Sequence, residues 1–236
     1  MGKKRVDDEP AFVLHSYPFR ETSLIVEAWS RNHGRVALLA RGARRPRSAI
    51  RGLLLAFQPL ELSWAGQGEV MTLMKAEWVG GQPMLGGAAL FCGYYLNELV
   101  LKLLPREDAH ERLYDRYAET LVRLTNGVEE ASLRSFETDL LRELGYGLSL
   151  ARDTEGRPID PDSQYRYAIE RGAERVEASA GSDLISGKTL VDLAAGAYGD
   201  PKTLAQSKRL MRSLINHYLA GRELASREIY RELQDL

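Results

Sequence analysis

Seven arginines stand between Arg31 and Arg51 (Arg31, Arg35, Arg41, Arg44, Arg45, Arg47 and Arg51), with no Asp or Glu among them. The whole chain carries 32 Lys and Arg against 33 Asp and Glu, so this run is a local positive field on a nearly neutral protein. Crowded guanidinium groups repel one another, and a polyanion from outside relieves the repulsion. A phosphate backbone supplies that charge in long, regular form. Arginine also offers a planar fork to phosphate oxygens and a flat face to bases. The chemistry expected is electrostatic binding of nucleic acid, tolerant of sequence and sensitive to salt. A solvated loop that keeps the protein soluble accounts for the same run without a ligand.

Other chemistry is thinly represented. Trp29, Tyr17 and Phe19 offer ring faces on which bases stack, and equally the aromatic filling of a small barrel. His15, His33, His110 and His217 are scattered, and Cys92, the single cysteine, falls in an apolar stretch with no histidine beside it. A buried structural thiol is the simpler reading. One cysteine excludes an intramolecular disulfide and a four-thiolate zinc site, and it fits a reducing compartment. Gly181 to Thr189 ends like a phosphate-binding loop, but its first glycine is misplaced and no apolar strand precedes it. No nucleophile–base pair or metal cluster can be assembled, so no enzyme, cofactor or metal is expected.

The elements that would carry these residues change character near residue 82. Before it, short alternating runs bounded by turn residues read as five strands: Ala11–Ser16, Ser23–Trp29, Arg35–Ala40, Pro59–Trp64 and Val70–Lys75. The arginines fall between the third and fourth. Five strands suit a small barrel of the OB type, with an SH3-like barrel as the alternative. Beyond residue 83 the period becomes helical. Met84 to Leu104 is broken by Gly86, Gly87, Gly93, Asn97 and Glu98, which argues for a core helix and against a membrane span. Two amphipathic helices follow behind the candidate caps Asp108 and Ser132 and stop at Gly127 and at Gly145 or Gly147. Residues 151–187 lose periodicity and hold a candidate β-pair at Gln164–Glu170 and Arg175–Ala178. Helix returns at Thr189–Ala197 and Thr203–Leu219, with a final turn within Arg227–Leu236.

The expectation is therefore an α+β chain: a five-stranded OB-fold barrel over residues 1–82, then an all-helical domain over 83–236 with a short irregular or β insertion at 151–187. Charge divides along the same line, residues 1–82 being net positive by four and 83–186 net negative by seven. The N-terminal MGKKRVDDEP lacks the apolar core of a signal peptide, so a cytoplasmic location is expected.

Seven segments in order, Ala11–Tyr17, Arg20–Val26, Gly34–Arg44, Gly52–Leu60, Tyr95–Leu99, Leu133–Glu137 with Leu140, Leu141 and Leu144–Gly147, and Ser226–Glu228, resemble the RecO family of bacterial DNA repair proteins. The resemblance implies an OB domain joined to a helical one and a protein that is not an enzyme. It implies binding of single- and double-stranded DNA, annealing of complementary strands, and loading of the RecA recombinase with RecR onto strands coated by single-stranded-DNA-binding protein (SSB). Arg35, Arg41, Arg44, Arg45, Arg47 and Arg51 are the expected phosphate contacts. The family also implies a pocket for the acidic, Phe-terminated tail of SSB, with Arg134 as carboxylate anchor and Phe57, Leu90 and Tyr94 as candidate walls; core packing is the other reading of those three. Many family members carry a four-cysteine zinc module where this chain has residues 151–187 without cysteine, so zinc is not expected. Asp153, Asp160 and Asp162 are read as turn residues. A different class remains open beside this one: a non-catalytic adaptor whose barrel docks RNA or an acidic protein.

Overall fold

Runs rich in β-branched and aromatic residues, each flanked by turn chemistry, become the strands β1 (Lys4–Phe19), β2 (Ser23–Ser30), β3 (Gly34–Ala40), β4 (Leu60–Gly66) and β5 (Val70–Trp78). They close a barrel in the order β1-β2-β3-β5-β4, with β3 and β5 parallel and the other pairs antiparallel. The computed structural model from which this is read describes residues 4–81, 83–146, 148–177 and 183–234. Gly147, Ala178 and Gly181, to which the sequence reading assigned a stop signal, a strand end and a false phosphate loop, lie outside the described residues.

Val26, Ala28, Val36, Leu38, Leu62, Trp64, Met71 and Leu73 point inward and form the barrel core. This five-stranded arrangement is that of the OB fold. β1 is much longer than the six residues expected from alternation. Register shifts between Val6 and Glu9 and between Val13 and His15 bend it, so that its first half pairs with β4 and its second with β2.

Two compact units emerge, Met1–Val128 with Leu224–Leu236, and Glu129–Glu223. The first holds the barrel together with α1 (Gly87–Leu103), α2 (Glu111–Thr125) and α6 (Ala225–Gln234). The change of hydrophobic period near residue 82 and the compactness boundary at 128/129 are thus separate features of the chain. Within this unit Phe12 and Trp29 of the barrel meet Tyr114 and Tyr117 of α2 at ring separations of 5.2–5.5 Å. Asn97 of α1 donates to the Leu14 carbonyl at 2.8 Å and accepts from the Tyr117 hydroxyl at 2.5 Å. The turn before β3 needs glycine: Gly34 has φ +68°, and a Cβ there would lie 2.1 Å from the Asp108 carbonyl oxygen. Asp108 does not cap α2, whose first turn begins behind His110; the Asp108 carboxylate lies 3.5 Å from His110 Nε2.

The second unit holds α3 (Glu130–Glu143), a three-stranded sheet of β6 (Gln164–Ala168), β7 (Gly172–Val176) and β8 (Leu184–Ser186) in the order β7-β6-β8, then α4 (Gly187–Ala195) and α5 (Pro201–Tyr218). Ser132 lies inside the first turn of α3, where its hydroxyl donates to Glu129, instead of capping it. The third strand, β8, was not expected; at three residues it is too short to show a period. Its last residue, Ser186, caps α4 by accepting from the Thr189 amide, and Asp200 caps α5 ahead of Pro201.

Candidate nucleic-acid interface

The connection from β3 to β4 runs over one end of the barrel, and small or aliphatic side chains hold it there. Ala43 is fully buried and Leu54 nearly so, both within the barrel core, while a 3-10 turn spans Ala49–Gly52. Between these anchors Ile50 also packs partly against the core, while the arginines turn outward. Arg41, Arg44, Arg45, Arg47 and Arg51 are all exposed. Among the described residues none of the five has a carboxylate partner. Arg44 alone makes a side-chain hydrogen bond, to the Arg20 carbonyl at 3.1 Å, and its amide donates to the Thr22 carbonyl at 2.8 Å. The loop is thereby stitched to the β1–β2 turn, which adds the exposed Arg20 to the same end of the barrel. Arg20 lies outside the arginine run and beside Glu21, so charge counting along the sequence passed over it; strand pairing brings it in.

Arg35 is a correction. It is only 9% exposed, on the outer face of β3, where Nη1 donates to the carbonyls of Leu101 and Leu104 at 2.7 and 2.6 Å. Nη2 faces Glu27 at 3.4 Å, and Arg106 pairs with the same carboxylate. Burial pulls the Arg35 guanidinium below its ordinary value against the opposing pull of Glu27. This side chain closes the open carbonyl end of α1 and offers nothing to a phosphate. Arg31 is likewise engaged within the molecule, gripping Asp115 through Nε at 2.9 Å and Nη2 at 2.8 Å with Glu111 at 3.1 Å. Trp29 is fully buried, whereas Tyr17 is 48% exposed and Phe19 partly so, with Arg20 over its ring.

The residues expected to hold a peptide tail divide between the two units. In the first, Phe57 is buried and packs edge-on against the exposed Tyr94 at 5.0 Å, and Leu90 is half-buried. Gly93 makes room for Phe57: a Cβ there would sit 2.9 Å from the ring. In the second, Arg134 is 7% exposed, with Glu137 2.5 Å from Nη2, so its guanidinium already holds a carboxylate.

The insertion keeps its shape through carboxylate-capped turns. Asp153 accepts from the amides of Glu155 and Arg157 and from Arg157 Nε at 2.8–2.9 Å. Asp160 accepts from the Asp162 amide, the Ser163 hydroxyl and Arg175. With no cysteine and these oxygens already engaged, the donor set does not fit zinc. Asp8, Glu61 and Glu77 approach one another on the barrel, but Lys75 pairs with both Asp8 and Glu77 at 3.0 Å. Among the described residues no helix is long and apolar enough to cross a membrane.

Comparison with known proteins agrees with this architecture. Residues 6–82 match the family model described as Recombination protein O N terminal, and residues 85–228 that described as Recombination protein O C terminal. Similar curated proteins, each named DNA repair protein RecO, come from Dechloromonas aromatica (60% identical, 99% of both chains covered), Aromatoleum aromaticum (57%, 99% of both) and Nitrosospira multiformis (52%, all of this chain and 99% of the relative).

Proposed function

The chain belongs to the RecO family of DNA repair proteins, and from that premise we propose that it is a recombination mediator, which binds single- and double-stranded DNA through the arginine end of its barrel and anneals complementary strands. The observation that carries this reading is the set of five exposed guanidinium groups with no carboxylate partner among the described residues. Two polynucleotides repel each other, and one positive surface that screens both lowers the barrier to pairing with no need of a nucleotide cofactor. Arg41, Arg44, Arg45, Arg47 and Arg51 are the phosphate contacts, joined by Arg20. The test is fluorescence anisotropy of labelled single- and double-stranded oligonucleotides at rising salt. Affinity falls steeply with salt if phosphates are the ligand; affinity indifferent to salt ends the proposal.

The same reading places the protein in the cytoplasm at the nucleoid, working with RecR to load RecA onto SSB-coated strands. It includes capture of the SSB tail through a terminal carboxylate and an aromatic ring. Glu137 occupies Nη2 of Arg134 while its Nε has no hydrogen-bond partner among the described residues, so a tail carboxylate would share the guanidinium with Glu137. A peptide ending in Asp-Phe should bind, and Arg134→Ala should weaken it by roughly 1.5–3 kcal/mol. Tyr94→Ala probes the ring pocket separately, and unchanged binding in both variants removes these residues from the role.

A further inference from the structure

Across the outer face of the barrel, at the end where the arginine loop lies, four strands contribute one row in register: Tyr17 on β1 opposite Ile25 on β2, Ile25 opposite Leu39 on β3, and Leu39 opposite Thr72 on β5. Residues directly opposite one another share a face of the sheet. The inner face of the same strands is filled by Val26, Leu38 and Met71. The outer row is not: Tyr17 is 48% exposed, and Ile25, Leu39 and Thr72 are each partly open to solvent. The His15 ring stands edge-on to Tyr17 at 4.4 Å and limits the swing of the tyrosine ring.

The row runs directly into the basic surface. Leu39 is two residues before Arg41, and Tyr17 is three before Arg20, whose carbonyl receives Arg44. At about 3.3 Å per residue along a strand and about 4.8 Å between strands, the tyrosine ring lies on the order of 10 Å from both Arg20 and Leu39. An aromatic and aliphatic strip open to solvent and bordered by arginines that have no carboxylate partner among the described residues has the two parts that an unpaired polynucleotide requires: ring faces for bases and cations for phosphates. A duplex, with its bases stacked on one another inside, can use only the second part.

Resting on the function proposed above, we infer that this row, with Tyr17 as its stacking residue, is the platform on which the bases of a single strand lie while its phosphates follow Arg20, Arg41 and Arg44. Duplex DNA binds the same arginines and passes the platform by. The protein therefore distinguishes the two forms of DNA through one ring, and an annealed product, its bases withdrawn into the helix, loses that share of the affinity.

The test compares three ligands, a single-stranded oligonucleotide, the same length of abasic strand and the corresponding duplex, by anisotropy on wild type, Tyr17→Ala and Tyr17→Phe. The expected result is that Tyr17→Ala weakens the single strand about tenfold. Binding of the abasic strand and the duplex stays within about twofold, and the slope of affinity against salt is unchanged. Tyr17→Phe, which keeps the ring and drops the hydroxyl, retains most of the single-strand affinity. Equal loss on all three ligands, or no loss on the single strand, overturns the platform. Failure of the underlying DNA-binding reading looks different: replacing Arg41 and Arg45 by Ala would then leave all three ligands unaffected, whatever Tyr17 does.

Discussion

Arg35 and Arg41 belong to one acid-free run and flank the same strand, one just inside the start of β3 and the other just past its end. At the first end the guanidinium is buried between Glu27 and the last carbonyls of α1. At the second it projects from a loop with no carboxylate partner among the described residues. Six residue steps along the strand separate the two by about 20 Å, more than twice the screening length at physiological salt. A cluster of charge along the sequence is therefore not a cluster in space. What decides the role of each arginine is which element packs on it, and α1 with its following segment reaches only one end of β3.

This contrast is sharpest in the variant expected to have the largest effect. Arg35→Met leaves Glu27 buried with Arg106 as its remaining cationic partner and removes the donor from the Leu101 and Leu104 carbonyls. We expect a loss of about 3–5 kcal/mol in urea unfolding, with no change in the salt slope of DNA binding. At the other end, replacing Arg45, Arg47 and Arg51 together by Ala should move stability by no more than about 0.5 kcal/mol. It should flatten the slope of log affinity against log salt on duplex DNA by about 2.7, at about 0.9 per phosphate contact. If the first variant proved mild and the second unfolded the protein, the division drawn here would be reversed.

A smaller effect tests how carboxylates are used away from DNA. Glu98 of α1 accepts from the amides of Ala225 and Ser226 and the Ser226 hydroxyl, and pairs with Lys102 at 2.8 Å, which ties α6 to α1. Burial alone would raise its pKa, but the contacts from Lys102, Ser226 and Ala225 outweigh burial and hold it below the ordinary value. A carboxyl lowered on folding contributes stability that is fully present above the unfolded value of about 4.3 and is lost as pH falls through the folded one. Glu98→Gln should cost about 1.5–3 kcal/mol at neutral pH and flatten that acid limb of the stability curve. The smallest effect belongs to Arg31→Ala, which removes a half-exposed fork on Asp115 and should leave the urea unfolding midpoint close to that of the wild type.

The strands of the barrel were legible because one face of each is buried against the core, which imposes a period of two that composition cannot hide. β1 was underestimated most, since its bulges reset the alternation where it changes partner, and β5 runs three residues beyond the expected Lys75. Helix interiors were equally readable. Their first turns were not, because a cap is chosen by what else competes for it. Asp200 before Pro201 carries its own signal, whereas α2 begins three residues beyond Asp108, behind His110. In the candidate site, Arg41, Arg44, Arg45, Arg47 and Arg51 were visible as loop residues beyond the end of a strand. Arg35 was misread because strand alternation says which face a residue occupies but not whether a helix covers that face.

Residue order by itself determined the barrel, the helical remainder and the position of a loop rich in arginine, because periodicity and turn chemistry act over a few neighbouring residues. Only the tertiary structure decided which arginines are free. Whether a charge is neutralised depends on what packs against it, often from far away in the chain, as the end of α1 does on Arg35 and Asp115 does on Arg31, and on the strand pairing that brings Arg20 and Tyr17 to the loop.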